Sequence, residues 1–373
     1  MSRTSITAKN QNLLWAISAG RCEYEGCNKV LHSDILTRRR YNSAYIAHIV
    51  ADEPNGPRGD VKRSKLLCDD ISNLMLLCNE HHNLIDKYDI AGHPESHLLL
   101  MKQKHEERIR RITAIGPSMS SEIILYGANI GSNNSPLSYQ SASEALLYDY
   151  YPASDYPIEL GLKNAPFTDD TDTYWVTEEN NLIAQFNQKI KPRLMQCNTD
   201  HYSVFAIAPQ PLLIKFGVLL NDLNNVKIYQ KHREPSTWKW QAASSNIEYI
   251  LREPYDKTKV PVLVLSLSAT ITYDRIQKVL GDNTSIWEIA ITTQDNDFLK
   301  TESLLSNFRH TARYTFNKIK SYHGCTELHV FPAMPVSASV ELGRVWMPKV
   351  DMPMAIYDAN KIKDDFYKTI TIK

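Results

Sequence analysis

Four residues of types that commonly bind metals occur as two closely spaced pairs near the start of the chain. Cys22 and Cys27 enclose four residues, and Cys78 and His81 enclose two. Structural zinc is usually held by four cysteine or histidine ligands that arrive as two short pairs. The spacing therefore predicts a zinc site that joins two segments about fifty residues apart, which strongly constrains how this region folds.

Two other interpretations of these residues remain open. They could be four unrelated core residues, or the thiols could form a disulfide. No secretory segment is evident at the amino terminus, so we expect a cytoplasmic location, where thiols stay reduced. Cys68 lies in the same region and is interpreted as a small buried hydrophobic residue. Zinc is the preferred interpretation.

Three further residues have side chains suited to phosphodiester hydrolysis. His48 lies near the end of an apolar stretch, 44–50, that predicts a strand, and a neutral imidazole can accept a proton from water. Asn73 precedes the second metal-binding pair. His82 directly follows His81, so on a helix the two rings point about 100° apart. One ring can then face the zinc while the other faces a second site.

The order of His48, Asn73 and His82 around the cysteine pairs resembles the HNH endonuclease motif. The resemblance implies that residues 1–115 form a small ββα-metal domain with a structural zinc, which cuts DNA using Mg²⁺ or a similar divalent ion. In that motif His48 would be the general base and His82 a ligand of the catalytic metal. Asn73 would orient His48 or join the metal shell.

The chain departs from this motif at one position. Many HNH enzymes have Asp or His immediately before the first histidine of the motif, whereas this chain has Ala47. The metal shell would then need another oxygen, for which Asp60 and Asp52 are the candidates. The rival hypothesis is a domain that binds DNA or assembles oligomers without cutting.

Charge is balanced overall but unevenly distributed. The chain has 42 Lys and Arg and 42 Asp and Glu, and residues 1–115 have a small basic excess. Two basic clusters flank His48 in sequence, namely Arg38–Arg40 and the group Arg58, Lys62, Arg63 and Lys65. Such residues could contact DNA phosphates, or they could simply form a solvated surface. No apolar run reaches membrane-spanning length.

A helix and then a repeat organise the rest of the chain. The run 95–113 predicts a helix that ends before Gly116 and Pro117, and a second domain should start near residue 120.

Segments 203–230 and 329–358 align at an offset of 126, and each predicts a strand, a proline turn, a helix and a second strand. The aligned pairs are Phe205 with Phe331, Pro209 with Pro335, Gly217 with Gly343 and, after a two-residue insertion, Tyr229 with Tyr357. The prediction is an α/β domain of two related halves with parallel sheets covered by helices.

Ligands of such folds bind beyond the carboxyl ends of the strands, where helix N-termini attract anions. Two related edges around one pocket would suit a ligand with repeated phosphates, although a duplicated core without a ligand remains possible. The candidate contacts at strand ends, in the TWKW segment and on a later helix are Gln210, Ser268, Ser337, Trp238, Trp240, Arg309 and Arg313.

The segments VFAIAPQPLLIKFG, TWKW, VLVLSLSATI and HVFPAMP with ELGR resemble the SAVED domain, a fusion of two CARF-like (Rossmann-like) sensors of cyclic oligonucleotides. An HNH domain followed by SAVED resembles the effector nucleases of CBASS, a class of bacterial antiphage systems. The resemblance implies that residues 120–373 bind a cyclic oligonucleotide, that the protein then forms a homo-oligomer, and that it degrades double-stranded DNA. The alternative is a non-catalytic nucleotide-sensing protein with an HNH-like zinc domain.

Overall fold

The computed structural model of the chain contains two units, Met1–Gly116 and Pro117–Lys373. It describes residues 6–34, 37–131, 133, 136–147, 149–162, 168–195, 201–220, 225–242, 247–292, 294–360 and 365–373. No helix within these ranges is both long enough and apolar enough to cross a membrane.

The first unit is built around two antiparallel strands followed directly by a helix. Its elements are α1 (Ala8–Ile17), β1 (Ala44–His48), α2 (Ser64–Leu67), β2 (Leu74–Cys78), α3 (Asn79–Asn83) and α4 (Glu95–Thr113). A 3-10 turn precedes β2 (Ile71–Asn73), and a π-helical turn follows α3 (Leu84–Tyr88). His48 pairs with Leu74 and Ala44 with Cys78. This is the strand–strand–helix order that the resemblance implies.

The core of the first unit is small and centred on β2, whose five residues are all buried. Helix α4 has the bounds predicted from the sequence and packs Leu98 and Met101 against this core. Each fully buried side chain of this size contributes about 1.5–3 kcal/mol.

The first half of the second unit is a sheet of parallel strands. It contains β3 (Ser120–Gly127), α5 (Tyr139–Leu146), β4 (Tyr151–Pro152), β5 (Ile158–Leu160), α6 (Asp172–Lys189), α7 (Lys191–Met195), β6 (Tyr202–Ile207), α8 (Gln210–Leu219) and β7 (Val226–Ile228). Strands β4, β5 and β6 pair with β3, and β7 pairs with β6, all in parallel.

The second half is a sheet of six strands. It contains β8 (Ile250–Arg252), β9 (Val260–Ser266), α9 (Tyr273–Leu280), β10 (Thr284–Ala290), α10 (Glu302–His323), β11 (Leu328–Ala333), α11 (Val336–Val345), β12 (Met354–Asn360) and β13 (Asp365–Ile372). The strand order is β13-β12-β11-β9-β10-β8, and the central four strands are parallel. The predicted α/β class with two halves is confirmed.

Each copy of the sequence repeat folds as predicted into strand, helix and strand, namely β6-α8-β7 and β11-α11-β12. The aligned aromatic residues also stack alike: the ring centroids of Phe205 and Tyr229 are 4.4 Å apart, and so are those of Phe331 and Tyr357. Trp238 and Phe366 complete the two clusters by packing edge-on against these phenylalanines. The two halves therefore share internal packing as well as strand order.

The two repeats meet where helices α8 and α11 cross at a pair of glycines. A Cβ on Gly217 would lie 1.9 Å from the carbonyl oxygen of Val340, and a Cβ on Gly343 would lie 2.0 Å from that of Ile214. Both distances are far below any normal contact, so only glycine allows this approach. The aligned glycines thus bring the two helix backbones into direct contact.

Candidate functional site

The two predicted metal-binding pairs come together in the first unit. The Sγ atoms of Cys22, Cys27 and Cys78 and a ring nitrogen of His81 all lie within 4.8 Å of one another. His81 Nδ1 is 3.1 Å from Cys78 Sγ and 3.7 Å from Cys22 Sγ. With a zinc–sulfur bond of about 2.3 Å and a zinc–nitrogen bond of about 2.0 Å, a nitrogen–sulfur edge of a tetrahedral site measures about 3.5 Å. The donor set and its spacing fit one tetrahedral ion.

A tight turn and contacts with β2 hold the first cysteine pair in place. The Cys27 N–H donates to the carbonyl of Tyr24 (3.0 Å), and Gly26 supplies the left-handed backbone of the turn (φ +81°). The Glu23 N–H donates to the carbonyl of Leu76 in β2 (2.9 Å). The turn is therefore fixed beside the end of the strand that carries Cys78.

Burial sets the protonation preferences of this cluster. Desolvation raises the pKa of the Cys22 and Cys78 thiols and lowers the pKa of His81. A neutral imidazole is the form that binds metals, whereas buried thiols ionise only when a cation compensates the charge. Burial therefore favours protonated thiols and a neutral His81, and a bound cation would favour the thiolates.

His48 ends β1, as predicted, and its ring has a defined orientation. Its Nε2 lies 2.8 Å from the carbonyl oxygen of Cys68. Because a carbonyl can only accept, Nε2 carries the hydrogen, and Nδ1 of the neutral ring has the free lone pair. Cys68 itself is buried, as the sequence predicted. The contact therefore fixes the tautomer of the neutral ring, with the hydrogen on Nε2 and the lone pair on Nδ1.

Asn73 is buried and uses its whole amide group to hold the backbone around His48. Its Oδ1 accepts from the Val50 N–H (2.8 Å), while its Nδ2 donates to the carbonyls of Val50 (2.9 Å) and Leu67 (3.2 Å). Leu67 adjoins Cys68, whose carbonyl orients the His48 ring. These contacts fit the positioning role expected of Asn73, and its place in the metal shell stays a prediction.

His82 lies on α3 beside a carboxylate that sequence reasoning missed. Its Nε2 is 3.5 Å from Asp86 Oδ2, one helical turn along the chain. Arg58 donates to Asp86 Oδ1 (2.6 Å) and to the carbonyls of Ile49 (2.6 Å) and Ile85 (2.8 Å), and its side chain is only 7% exposed. The i,i+4 spacing of His82 and Asp86 was a signal that could have identified this pair.

Asp60, expected as a metal ligand, has another role. Its Oδ1 accepts from the backbone N–H groups of Lys62 and Arg63 (both 2.8 Å), and these bonds lower its pKa. The carboxylate caps the turn that leads into α2. Across the described residues, only the Cys22 cluster brings together three or more potential ligands within 4.8 Å, so neither Asp60 nor Asp52 forms such a group with His48 and His82.

The basic clusters divide into internal and surface residues. Arg58 is turned inward, and Arg63 pairs with Glu95. Lys62, Lys65 and Arg38–Arg40 are exposed. These last residues are the ones available for phosphate contacts.

In the second unit, two of the predicted ligand contacts meet at the carboxyl end of β11. Gln210, at the start of α8, accepts from the Met334 N–H (3.1 Å), and the Ser268 N–H donates to the carbonyl of Ala333 (2.8 Å). The ends of β6, β9 and β11 thus converge as predicted. Ser337 is buried, and both its N–H and its hydroxyl donate to Gln230 Oε1 (3.2 and 2.7 Å). Its polar groups therefore already have a partner within the fold.

The remaining predicted contacts have other neighbours in the described structure. Trp238 is 1% exposed and packs in the core, and Trp240 is partly buried against the same core with its ring edge-on to His232. Arg313 pairs with both oxygens of Asp351 and is not free for phosphate. Arg309, 45% exposed, lines a separate cleft of about 380 Å³ formed by residues of β7, α10 and α11.

Comparisons with known proteins identify the second unit. The family model described as "SMODS-associated and fused to various effectors sensor domain" (SAVED) matches residues 182–372, just over half of the chain. No curated protein matches the chain.

Three similar solved structures are Cap4 SAVED/CARF-domain containing receptors. That of Acinetobacter baumannii with the cyclic trinucleotide 2'3'3'-cAAA shares 14% identity at a TM-score of 0.41, over 83% of this chain and 61% of that one. The same receptor with 3'3'3'-cAAA shares 12% identity at a TM-score of 0.44, over 84% and 71%. The receptor of Moraxella osloensis shares 13% identity at a TM-score of 0.36, over 84% and 60%. The chain thus spans about three fifths of the first of these structures. On the strength of the family model, the chain belongs to the SAVED family of sensor domains.

Proposed function

We propose that this protein is an antiphage effector of the CBASS type, in which a cyclic oligonucleotide bound by the second unit activates DNA cleavage by the first. The observation that carries the proposal is the strand–strand–helix element of the first unit. It combines an oriented histidine, His48, with the His82–Asp86 pair. It does so in a chain that belongs to a family of sensors fused to effectors.

We assign a structural zinc ion to Cys22, Cys27, Cys78 and His81. Their donor atoms are close enough for one tetrahedral site, and three thiols with one imidazole are a set that zinc prefers. The ion would cross-link the first cysteine turn to the end of β2 and the start of α3. In a unit with so small a core, that link would contribute much of the folding free energy.

In the proposed reaction, His48 Nδ1 accepts the proton of the water that attacks the scissile phosphorus. The Cys68 carbonyl and Asn73 keep the ring in the required tautomer and orientation. His82 and Asp86 would hold a divalent ion such as Mg²⁺, which supplies positive charge to stabilise the phosphate and the leaving oxygen. Arg58 fixes Asp86 from its other oxygen. Asp86 would thereby provide a carboxylate ligand in place of the acidic residue that many HNH enzymes have at the position of Ala47.

The sensor proposal rests on the carboxyl ends of β6, β9 and β11. Helices α8 and α11 begin at this edge directly after Pro209 and Pro335, and Gln210 links the two repeats there. Two helix N-termini on related halves suit a ligand with several phosphates. For activation, the ligand must favour an assembled state; a preference of about 10⁴-fold moves an equilibrium from 1:99 to 99:1. We propose a homo-oligomer as that state.

The full chain should therefore bind a cyclic oligonucleotide and cut duplex DNA only in its presence. Calorimetry against a panel of cyclic di- and trinucleotides, beginning with those seen in the Cap4 receptors, measures the first property. Plasmid cleavage with Mg²⁺ measures the second, and His48→Ala is the matched control. Ligand binding without cleavage would overturn the nuclease part, and cleavage without any ligand would overturn the sensor part.

A second candidate function is favoured by one observation, the absence of an acidic residue at Ala47. In this alternative the first unit binds DNA or assembles oligomers but does not cut. Ligand-dependent DNA binding by the wild-type chain, with no nicking at any Mg²⁺ or Mn²⁺ concentration, would establish it.

A further inference from the structure

The adjacent histidines His81 and His82 are each backed by a different tyrosine. Tyr24 stacks on His81 with ring centroids 4.0 Å apart and planes 9° from parallel. Tyr45 stacks on His82 at 5.0 Å and 23°. The two tyrosines come from different segments, the first cysteine turn and strand β1, and they meet the helix α3 that carries both histidines.

Tyr24 is itself held from behind. Its hydroxyl lies 2.9 Å from Nε2 of His93, a buried residue, whose Nδ1 lies 2.6 Å from the carbonyl oxygen of Asp89. The carbonyl can only accept, so Nδ1 carries the hydrogen, and in the neutral ring Nε2 accepts from the tyrosine hydroxyl. A chain of contacts therefore runs from the Asp89 backbone through His93 and Tyr24 to the face of His81.

Tyr45 holds His82 in a simpler way. It lies three residues before His48 on β1 and opposite Leu77 on β2, and 44% of it is exposed. Its ring covers one face of His82, while Asp86 lies at the Nε2 edge of the same imidazole. Tyr45 therefore fixes the plane of the His82 ring, and the Asp86 carboxylate lies beside its Nε2.

Such supports matter because α3 is only five residues long and carries both rings side by side. An imidazole binds a metal along a lone pair in its ring plane, so free rotation of the ring weakens binding. Neighbouring groups that orient a histidine ligand typically change metal affinity by about 10- to 100-fold. Two adjacent histidines also need to be kept at separate sites.

We propose that Tyr24 and Tyr45 are positioning residues that assign the two histidines to different metals. Tyr24 commits His81 to the zinc cluster, and Tyr45 commits His82 to the second site beside Asp86. This inference rests on the proposed function, because it takes the zinc and the catalytic ion as the two occupants.

The test uses two alanine variants of the full chain, each of which is the control for the other. Zinc affinity is measured by competition with a chromogenic chelator, and Mn²⁺ binding to the zinc-loaded protein is measured by calorimetry without DNA. Tyr24→Ala should weaken zinc binding about 10- to 100-fold with Mn²⁺ affinity unchanged. Tyr45→Ala should weaken Mn²⁺ binding by a similar factor and leave zinc affinity unchanged.

Phenylalanine variants separate the ring from the hydroxyl and preserve folding. Tyr45→Phe keeps the stacked ring and should bind Mn²⁺ as tightly as the wild type. Tyr24→Phe keeps its ring but loses the bond to His93, so its zinc affinity should lie between those of the wild type and Tyr24→Ala. Unchanged affinities in both alanine variants, or equal loss of both metals in each, would overturn the inference. If the wild-type protein binds zinc but no second ion, the nuclease proposal and the Tyr45 half fail together, and the zinc measurements still decide the Tyr24 half.

Discussion

Replacing Gly217 with alanine should destabilise the second unit, although alanine is the better helix former. In an unconstrained helix this change stabilises by about 1 kcal/mol. Here the new Cβ would lie 1.9 Å from the Val340 carbonyl oxygen and 3.0 Å from the Arg344 nitrogen, both backbone atoms. To restore a contact of at least 3.0 Å, α8 and α11 must move apart by about 1 Å.

Overpacking of this kind costs about 1–3 kcal/mol, and contact with rigid backbone places Gly217→Ala at the upper end. After the gain in helix propensity, we expect a net loss of about 2 kcal/mol. For a unit of this size that corresponds to a fall in Tm of about 4–8 °C. Gly343→Ala should behave alike, and the double variant should lose less than the sum, because both changes force the same separation.

Thermal unfolding of the full chain, followed by circular dichroism, measures these effects. Gly324→Ala is the comparison variant: its Cβ would meet no atom within 4 Å, so any loss of stability comes only from a backbone conformation (φ +63°, ψ −131°) that favours glycine, and not from contact with a neighbouring helix. A Gly217→Ala variant whose Tm is unchanged or raised would refute the close helix contact.

Three further predictions follow from the site and the core. His48→Ala should lower DNA cleavage by about 10²- to 10⁴-fold in a plasmid assay, with calorimetric ligand binding unchanged. The Cys22→Ser variant should contain no zinc when measured by elemental analysis, and the Tm of its first unit should be lower. Retained zinc and an unchanged Tm would contradict the assigned site. Burial raises the pKa of Glu178 from 4.5 to about 7, so the native state keeps a proton that the unfolded state loses between these values. Its contribution to stability therefore falls as the pH rises through that window. The Tm of wild type should drop from pH 5 to pH 8 relative to Glu178→Gln, and parallel curves would contradict this.

Features set by local spacing were predictable from the sequence. The cysteine and histidine pairs each present two ligands from one short segment, so only one long-range contact had to be inferred. The repeat was equally informative, because alignment of Phe205 with Phe331 and Tyr229 with Tyr357 placed matching aromatic stacks in the two halves. These features could be predicted because they depend on the spacing and duplication of residues along the sequence.

Partners that a side chain acquires only in the folded chain were predicted less well. Asp60 was the acidic residue expected beside His82, but it is used by the backbone of its own turn. Asp86 lies four residues after His82, a spacing that could have identified it, and α3 with the turn after it brings the two side chains together. Arg58 has the appearance of a surface cation in sequence, yet it lies inside, bonded to Asp86.

The ligand contacts were predicted least well for the same reason. Gln210 and Ser268 follow strands whose ends meet in space, and strand order could be inferred from the repeat. Ser337 and Arg313 are instead used by Gln230 and Asp351, which lie 107 and 38 residues away in sequence. Only the folded chain shows that these polar groups already have partners.

Control of the proposed nuclease by the sensor can be measured in one titration. Plasmid cleavage by the full chain is measured in Mg²⁺ at increasing concentrations of a cyclic trinucleotide to which calorimetry shows binding. We expect no cleavage without the ligand, a rise that saturates with the measured ligand affinity, and no activity at any ligand concentration for His48→Ala. Cleavage that is independent of the ligand, or that persists in His48→Ala, would contradict it.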